Sequence, residues 1–227
     1  IATRTPATVD ILSQGSTVCA TLEMNLEAVG KAYNRDPTGT SILNWKNNYG
    51  NSLAANEAQF IEMLSKLKRI KLSTLVRFFS NFCLELFSAY DAAVKSDLKK
   101  LQQALFDALV HLLDATIARY AEYVSLYDSM LKEFSSYFPK IGESLLGSMA
   151  LVFGSFTKDW NANGRALCRV SYLVLKMCCS CVKDQQEFKN QVYLFTNTIN
   201  NFLDSNVENV LPDQLLIVET LELYLDL

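Results

Sequence analysis

The feature that most constrains the fold of this chain is residues 96–138, a stretch that contains neither glycine nor proline. Its apolar residues recur at steps of three or four, which is the spacing of one face of an α-helix. They are Leu98, Leu101, Leu105, Leu109, Leu112, Thr116, Tyr120, Val124, Tyr127, Leu131, Phe134 and Phe138. Ser96 is suited to cap the start, with Asp97 in the first turn, and Pro139 to end the helix. The pattern predicts one very long helix of roughly 60 Å, at a rise of about 1.5 Å per residue.

Glycine and proline are scarce in the whole chain, with 8 and 4 residues among 227. Sheet proteins of this size need many turns, and turns use these two residues. We therefore predict an all-α fold, with helices over residues 7–33, 41–71, 73–95, 96–138, 141–160, 165–205 and after residue 212. The first of these helices rests on a stripe formed by Val9, Leu12, Cys19, Leu22, Leu26, Val29 and Tyr33.

The composition indicates a chain that can bury a large core. Hydrophobic residues make up 50% of the sequence and charged residues 20%, which is typical of a globular protein rather than a disordered one. We predict a single all-helical domain over residues 1–227, built as an elongated antiparallel bundle of about six to eight helices, because short connections favour antiparallel neighbours. An irregular helical-repeat solenoid is the alternative, although no repeat of about 30–45 residues is evident.

The cysteines lack the regular spacing of a small disulfide scaffold. They are Cys19, Cys83, Cys168, Cys178, Cys179 and Cys181. The three at residues 178–181 also lack the ligand spacing of a zinc site and the helix-start position of a redox motif. The sequence predicts free, buried thiols in a reducing compartment, so an intracellular location is slightly favoured. One or two disulfides in a secreted protein are the alternative.

The charge balance argues against nucleic acid as a partner. The formal net charge is −3, so no field of the whole protein would attract phosphates. One local basic cluster consists of Lys66, Lys68, Arg69, Lys71 and Arg77. Favourable charge at a helix C-terminus explains this cluster, and contact with an anionic surface such as a membrane is the alternative.

Residues suited to catalysis or metal binding are few. His111 is the only histidine, and Asp107 and Asp114 share its helix face at spacings of four and three. One helix supplies at most these three ligands, so we predict a charged helix flank rather than a metal site. No phosphate-binding loop or nucleophile elbow occurs. The sequence therefore predicts a protein without enzymatic activity and without cofactors.

The most apolar run is residues 141–156, which contains Glu143. It is shorter than the roughly 20 apolar residues that span a bilayer. We predict a buried core helix here and no transmembrane segment. Small residues on this helix would let another helix approach closely; they are Gly142, Gly147, Ala150 and Gly154.

The C-terminal segment, residues 212–227, carries the most specific sequence sign of a contact. Its charged side chains are all negative. Its apolar residues include Leu215, Leu216, Val218, Leu221, Leu223 and Leu225. A helix that is apolar on more than one face must be covered on more than one face. The segment is predicted to dock into its own domain or, alternatively, to contact another protein or a second copy of the chain.

These observations favour a non-enzymatic helical module for protein–protein interaction or scaffolding, because aromatic residues are abundant and no chemistry is evident. One alternative is a carrier that binds a lipid or another apolar small molecule in an internal helical cavity. A second alternative is a peripheral membrane-surface module that uses the basic cluster.

Overall fold

A computed structural model describes residues 2–12, 18–29, 34–117, 124–154, 162–182 and 185–206. The chain divides into two compact units, Ile1–Arg35 and Asp36–Leu227. The prediction of one all-helical domain over residues 1–227 did not anticipate this division.

The first unit contains an antiparallel pair of strands, β1 (Ala2–Leu12) and β2 (Val18–Val29). Val9 pairs with Leu22 and Thr5 with Leu26, and the register shifts between Ile11 and Leu12. The helix predicted for residues 7–33 is therefore wrong. Apolar and polar residues alternate strictly in the order Thr21, Leu22, Glu23, Met24, Asn25, Leu26, Glu27 and Ala28. This is the period of a strand, and a spacing of four, as between Leu22 and Leu26, fits a strand as well as a helix.

The second unit is all-α in the part that is described, which confirms the predicted fold class of a helical bundle. Its first five helices are α1 (Pro37–Leu43), α2 (Trp45–Tyr49), α3 (Glu57–Ser65), α4 (Leu72–Arg77) and α5 (Phe79–Lys95). Short 3₁₀ turns follow α2 and α3, at Gly50–Ser52 and Lys66–Arg69. The remaining helices are α6 (Lys99–Ala115), α7 (Val124–Tyr137), α8 (Ile141–Gly154), α9 (Ala162–Ser180) and α10 (Gln185–Asn206).

The very long helix over residues 96–138 is not observed, because α6 and α7 are separate. Thr116 follows the last residue of α6, and its hydroxyl donates to the Leu112 carbonyl at 2.5 Å. The backbone of Thr116 has a φ of −111° and a ψ of −77°, and Thr116 and Ile117 form a turn. The predicted start is also wrong, since Asp97 has a φ of 52° and α6 begins at Lys99. Ser96 and Asp97 thus form the turn between α5 and α6.

The apolar stripe of α6 is buried as predicted, and it lies at the centre of the second unit. Leu101, Leu105 and Leu112 have no exposed surface and Leu109 retains 1%. α6 packs against α3, α5 and α9, and α8 packs against α9 and α10. Burying each such leucine contributes about 1.5–3 kcal/mol to folding, so the stripe holds the bundle together.

Buried polar groups also connect the helices. The hydroxyls of Tyr90 on α5 and Ser148 on α8 are 2.8 Å apart. Tyr127 on α7 donates to the Leu173 carbonyl of α9 at 2.7 Å. Such pairing avoids the cost of burying unsatisfied hydroxyls. Within the ranges described, no helix is both long and apolar enough to cross a membrane.

Candidate functional site

A small pocket of about 240 Å³ lies where α3 and the following 3₁₀ turn face α6. From α3 and the 3₁₀ turn it is lined by Ile61, Leu64, Ser65, Leu67 and Lys68. From α6 it is lined by Ala104, Asp107, Ala108 and His111. Their spacing of three, four and seven residues puts these four on one helix face, and the two alanines leave the room that larger side chains would fill.

The polar side chains of this pocket include a carboxyl group in an unfavourable environment. Gln103 donates from Nε2 to Oδ1 of Asp107 at 3.2 Å. Burial raises the pKa of Asp107, and the Gln103 hydrogen bond and the Lys68 ammonium oppose this shift without cancelling it. The pocket therefore combines an apolar floor with a cation, a histidine and a carboxyl group that takes up a proton more readily than usual.

The basic cluster lies on consecutive elements, the Lys66–Arg69 turn and α4. All its members except the half-buried Lys66 are exposed. Lys66 pairs with Glu62 at 2.9 Å, and this contact lowers the pKa of Glu62. Of the cluster, Lys68 also lines the pocket. Contact of these residues with an anionic surface stays a prediction.

The three residues grouped around His111 in the sequence separate into two environments. Asp107 and His111 both line the pocket. Asp114 instead accepts two hydrogen bonds from Arg169 of α9, at 2.7 and 2.8 Å. This bidentate geometry gives Asp114 a structural role between α6 and α9. Across the residues described, no group of three or more His, Cys, Asp or Glu side chains could hold a metal ion.

The cysteines whose side chains are described are free thiols. Cys83, Cys178 and Cys181 are buried as predicted, whereas Cys179 is exposed. Burial raises the pKa of Cys181 to about 12 and that of Cys178 well above its ordinary value. These thiols are therefore protonated near neutral pH and poor nucleophiles.

The glycines of α8 have different surroundings. A Cβ on Gly142 would lie 2.4 Å from the Cys178 carbonyl oxygen and 2.7 Å from that of Cys181. The Gly142 amide donates to the Cys181 carbonyl at 2.9 Å. Gly142 thus allows the close approach that the sequence predicted, here between the start of α8 and the end of α9. A Cβ on Gly147 would have no neighbouring atom within 4 Å.

An exposed face of α10 was not predicted from the sequence. We call it the outer face, and its residues are Gln186, Lys189, Asn190, Tyr193, Leu194, Asn200 and Asn201. Tyr193 is 68% exposed and Leu194 is 55% exposed. The opposite side buries Phe195 and Ile199. The signal was available in the sequence, because Val192, Phe195 and Ile199 recur at helical spacing and leave Tyr193 and Leu194 on the other side.

The predicted partner-contact residues of the C-terminus lie outside the described residues. They are Leu215, Leu216, Val218, Leu221, Leu223 and Leu225. Their role stays a prediction.

In its described part, the second unit is an all-α bundle with a small polar-edged pocket on one side and an exposed face on α10, whose described side chains include one charged residue. The chain matches no protein-family model, no curated protein and no solved structure.

Proposed function

We propose that this chain is a non-enzymatic helical interaction or scaffold module that pairs with a second copy of itself through the outer face of α10. The observation that carries the proposal is the exposure of Tyr193 and Leu194, at 68% and 55%, side by side on one helix. Leu151 of α8, the helix that packs against α10, is 63% exposed. Tyrosine is enriched among the residues that dominate interface energetics.

The charge content of the outer face also supports a contact surface. Among the side chains of the face that the structure describes, Lys189 is the single charged one, and the others are amides, a tyrosine and a leucine. Interface cores are depleted of charged residues relative to the rest of a protein surface. The face therefore resembles an interface core more than an ordinary solvated helix side.

The same composition favours a second copy as the occupant. In a two-fold symmetric contact the same patch meets itself, so a charged patch would bring like charges together. An asparagine amide carries both donors and an acceptor. Asn190 and Asn200 can therefore hydrogen-bond to the same residues of the second copy.

The size of the face sets the expected strength of the contact. A helix of 22 residues is about 33 Å long and about 10 Å wide. Its area is well below the roughly 800 Å² per partner of a standard interface, even if Leu151 of α8 contributes. We therefore expect weak association, with a dissociation constant in the high micromolar range.

Sedimentation velocity of the wild-type chain tests this proposal at concentrations that rise to about 1 mM. At that concentration, an association free energy of about −4 kcal/mol puts half of the chains into dimers. We expect a dimer whose fraction rises with concentration. Tyr193→Glu and Leu194→Glu should each weaken it by tenfold or more, because each puts two carboxylates into a symmetric contact. Tyr137→Glu is the matched control, since Tyr137 is 64% exposed but lies at the end of α7.

Two results would overturn self-association. A wild-type chain that stays monomeric at about 1 mM would exclude it and leave a different protein as the occupant of the outer face. A dimer that Tyr137→Glu weakens as much as Tyr193→Glu would place the contact elsewhere.

A further inference from the structure

We propose that the pocket between α3 and α6 binds a small molecule with an apolar body and one carboxylate group. This site uses none of the residues of the outer face and does not depend on self-association. Its volume of about 240 Å³ lies below the roughly 300–1,000 Å³ of pockets for drug-sized ligands. At about 30 Å³ for each water-sized group, a chain of about six carbons with a carboxylate would fill it.

The apolar body of the ligand is indicated by the lining of the pocket. Ile61, Leu64 and Leu67 supply one wall, and Ala104 and Ala108 form the other. Leu64 and Leu67 are 4% and 1% exposed, so these residues are set into the core rather than held loosely at the surface. Binding of an apolar chain against them would remove its surface from water, which is favourable.

The negative charge of the ligand is indicated by the donors at the pocket. Lys68 and His111 line it, and a lysine ammonium carries three donors, enough to serve both Asp107 and a bound carboxylate. Arg69 and Lys71, both exposed, follow Lys68 in the chain. A local concentration of positive charge raises the local concentration of anions.

An ionised Asp107 would repel the carboxylate of the ligand, and protonation of Asp107 removes this repulsion. The groups that act on it are Gln103 on its own helix and Lys68 on the 3₁₀ turn, and His111 lines the same pocket. Its pKa is already raised by burial, and a bound anion would raise it further. Once protonated, Asp107 loses its charge and gains an O–H that can donate to the ligand.

The single histidine gives a direct readout of binding. His111 is the only histidine of the 227 residues, so its imidazole C–H signals in the proton NMR spectrum need no assignment. The full chain is titrated at pH 7 with hexanoate, 1-hexanol and hexylamine, which share an apolar chain and differ in charge. We expect a saturable shift with hexanoate, and a concentration for half-saturation about tenfold higher for 1-hexanol, because it lacks a charge-assisted hydrogen bond. Hexylamine should bind more weakly still.

Three variants locate the site, and two of them have a matched control. Asp107→Asn, which keeps the shape and removes the negative charge, should strengthen hexanoate binding at pH 7. Lys68→Met should weaken it about tenfold, and Arg69→Met less than about twofold. Ala104→Phe should fill the pocket and abolish the shift, whereas Ala115→Phe, at a half-buried position of α6 outside the pocket, should preserve it.

The result that would overturn the proposal differs for each measurement. The absence of any saturable shift in the folded wild-type chain would exclude the site. Equal or tighter binding of 1-hexanol or hexylamine would exclude recognition of a carboxylate. Weaker hexanoate binding in Asp107→Asn, or unchanged binding in Lys68→Met, would show that these side chains do not act as proposed.

Discussion

Asp107 is expected to make the stability of this protein fall as pH rises. Its pKa is raised above the ordinary value of 3.8, chiefly by burial, so the folded state holds the proton more tightly than the unfolded state. The resulting stabilisation is complete below the unfolded pKa and is lost as pH rises through the folded pKa. Asp107→Asn keeps an acceptor for Gln103 and carries no charge. In urea unfolding the variant should therefore be more stable than wild type at pH 7 and equal to it at about pH 3.

The control for this prediction is Asp97→Asn. Asp97 is 82% exposed and pairs with Lys99, and asparagine tolerates the same left-handed backbone. Its free energy of unfolding should change by less than about 0.5 kcal/mol at either pH. An Asp107→Asn variant less stable than wild type at pH 7 would contradict the assigned direction.

Gly142 and Gly147, on the same helix, should respond in opposite ways to alanine. A Cβ at Gly142 would collide with two backbone carbonyls of α9, whereas at Gly147 it would enter open space. Gly142→Ala should lower the free energy of unfolding by about 2 kcal/mol, as overpacking does. Gly147→Ala should raise it by about 0.5–1 kcal/mol, because alanine has the higher helix propensity. Equal effects in denaturant unfolding would mean that α8 does not approach α9 as observed.

The apolar stripe of α6 predicts which side chains of this helix stabilise the fold. Leu105 and Leu112 have no exposed surface, so truncation of either to alanine should cost about 2–5 kcal/mol. Lys99 is exposed, and its ion pair with Asp97 is between two exposed side chains, so Lys99→Ala should cost less than about 0.5 kcal/mol. Lys100→Ala should behave likewise. Lysine variants as unstable as the leucine variants, by thermal unfolding, would show that the burial of α6 is assigned to the wrong face.

The stripe of α6 illustrates which structural properties local sequence determines. Burial follows the period of the apolar residues, and the break between α6 and α7 leaves that period intact, so the core was predicted while the helix length was not. The helix ends before Thr116, whose hydroxyl bonds to the Leu112 carbonyl, yet Thr196 and Thr198 make the same bond inside α10 without ending it. A mid-helix threonine does not reveal this choice in advance, because it is equally compatible with a continuous helix.

The hairpin shows a different source of error. The spacing of four between Leu22 and Leu26 fitted both a helix and a strand, and the scarcity of glycine and proline in the whole chain favoured the helix. The polar residues between them, such as Glu23 and Glu27, decide for the strand, since they complete the alternation. The local alternation of apolar and polar residues therefore indicated a strand, whereas the composition of the whole chain favoured a helix.

The pocket could be predicted only in part. Its α6 side follows from helical spacing, which places Asp107 and His111 on one face. Lys68 is about 40 residues away in the chain, and its position beside Asp107 depends on how α3 packs against α6. No short-range pattern encodes that packing. The outer face of α10, in contrast, was open to prediction from the same period that identified its buried side.

Removal of residues 212–227 tests the predicted contact of the C-terminal segment in the molecule as a whole. If the segment docks into its own chain, deletion should lower the free energy of unfolding by several kcal/mol, at about 25 cal/mol per Å² of apolar surface uncovered. If it contacts a partner or second copy, the shortened chain should keep its stability and lose assembly in light scattering. Unchanged stability and unchanged assembly together would remove the segment from both roles.

The hydrogen bond at the start of α8 also makes this protein suited to measurement by hydrogen exchange. Amides in the first turn of a helix have no intrahelical acceptor and ordinarily exchange with solvent quickly. The Gly142 amide, second in α8, instead donates to the Cys181 carbonyl at 2.9 Å in a buried position. Its proton should therefore be replaced by deuterium only when the start of α8 separates from the end of α9. The exchange rate at this one position then reports the free energy of that local opening.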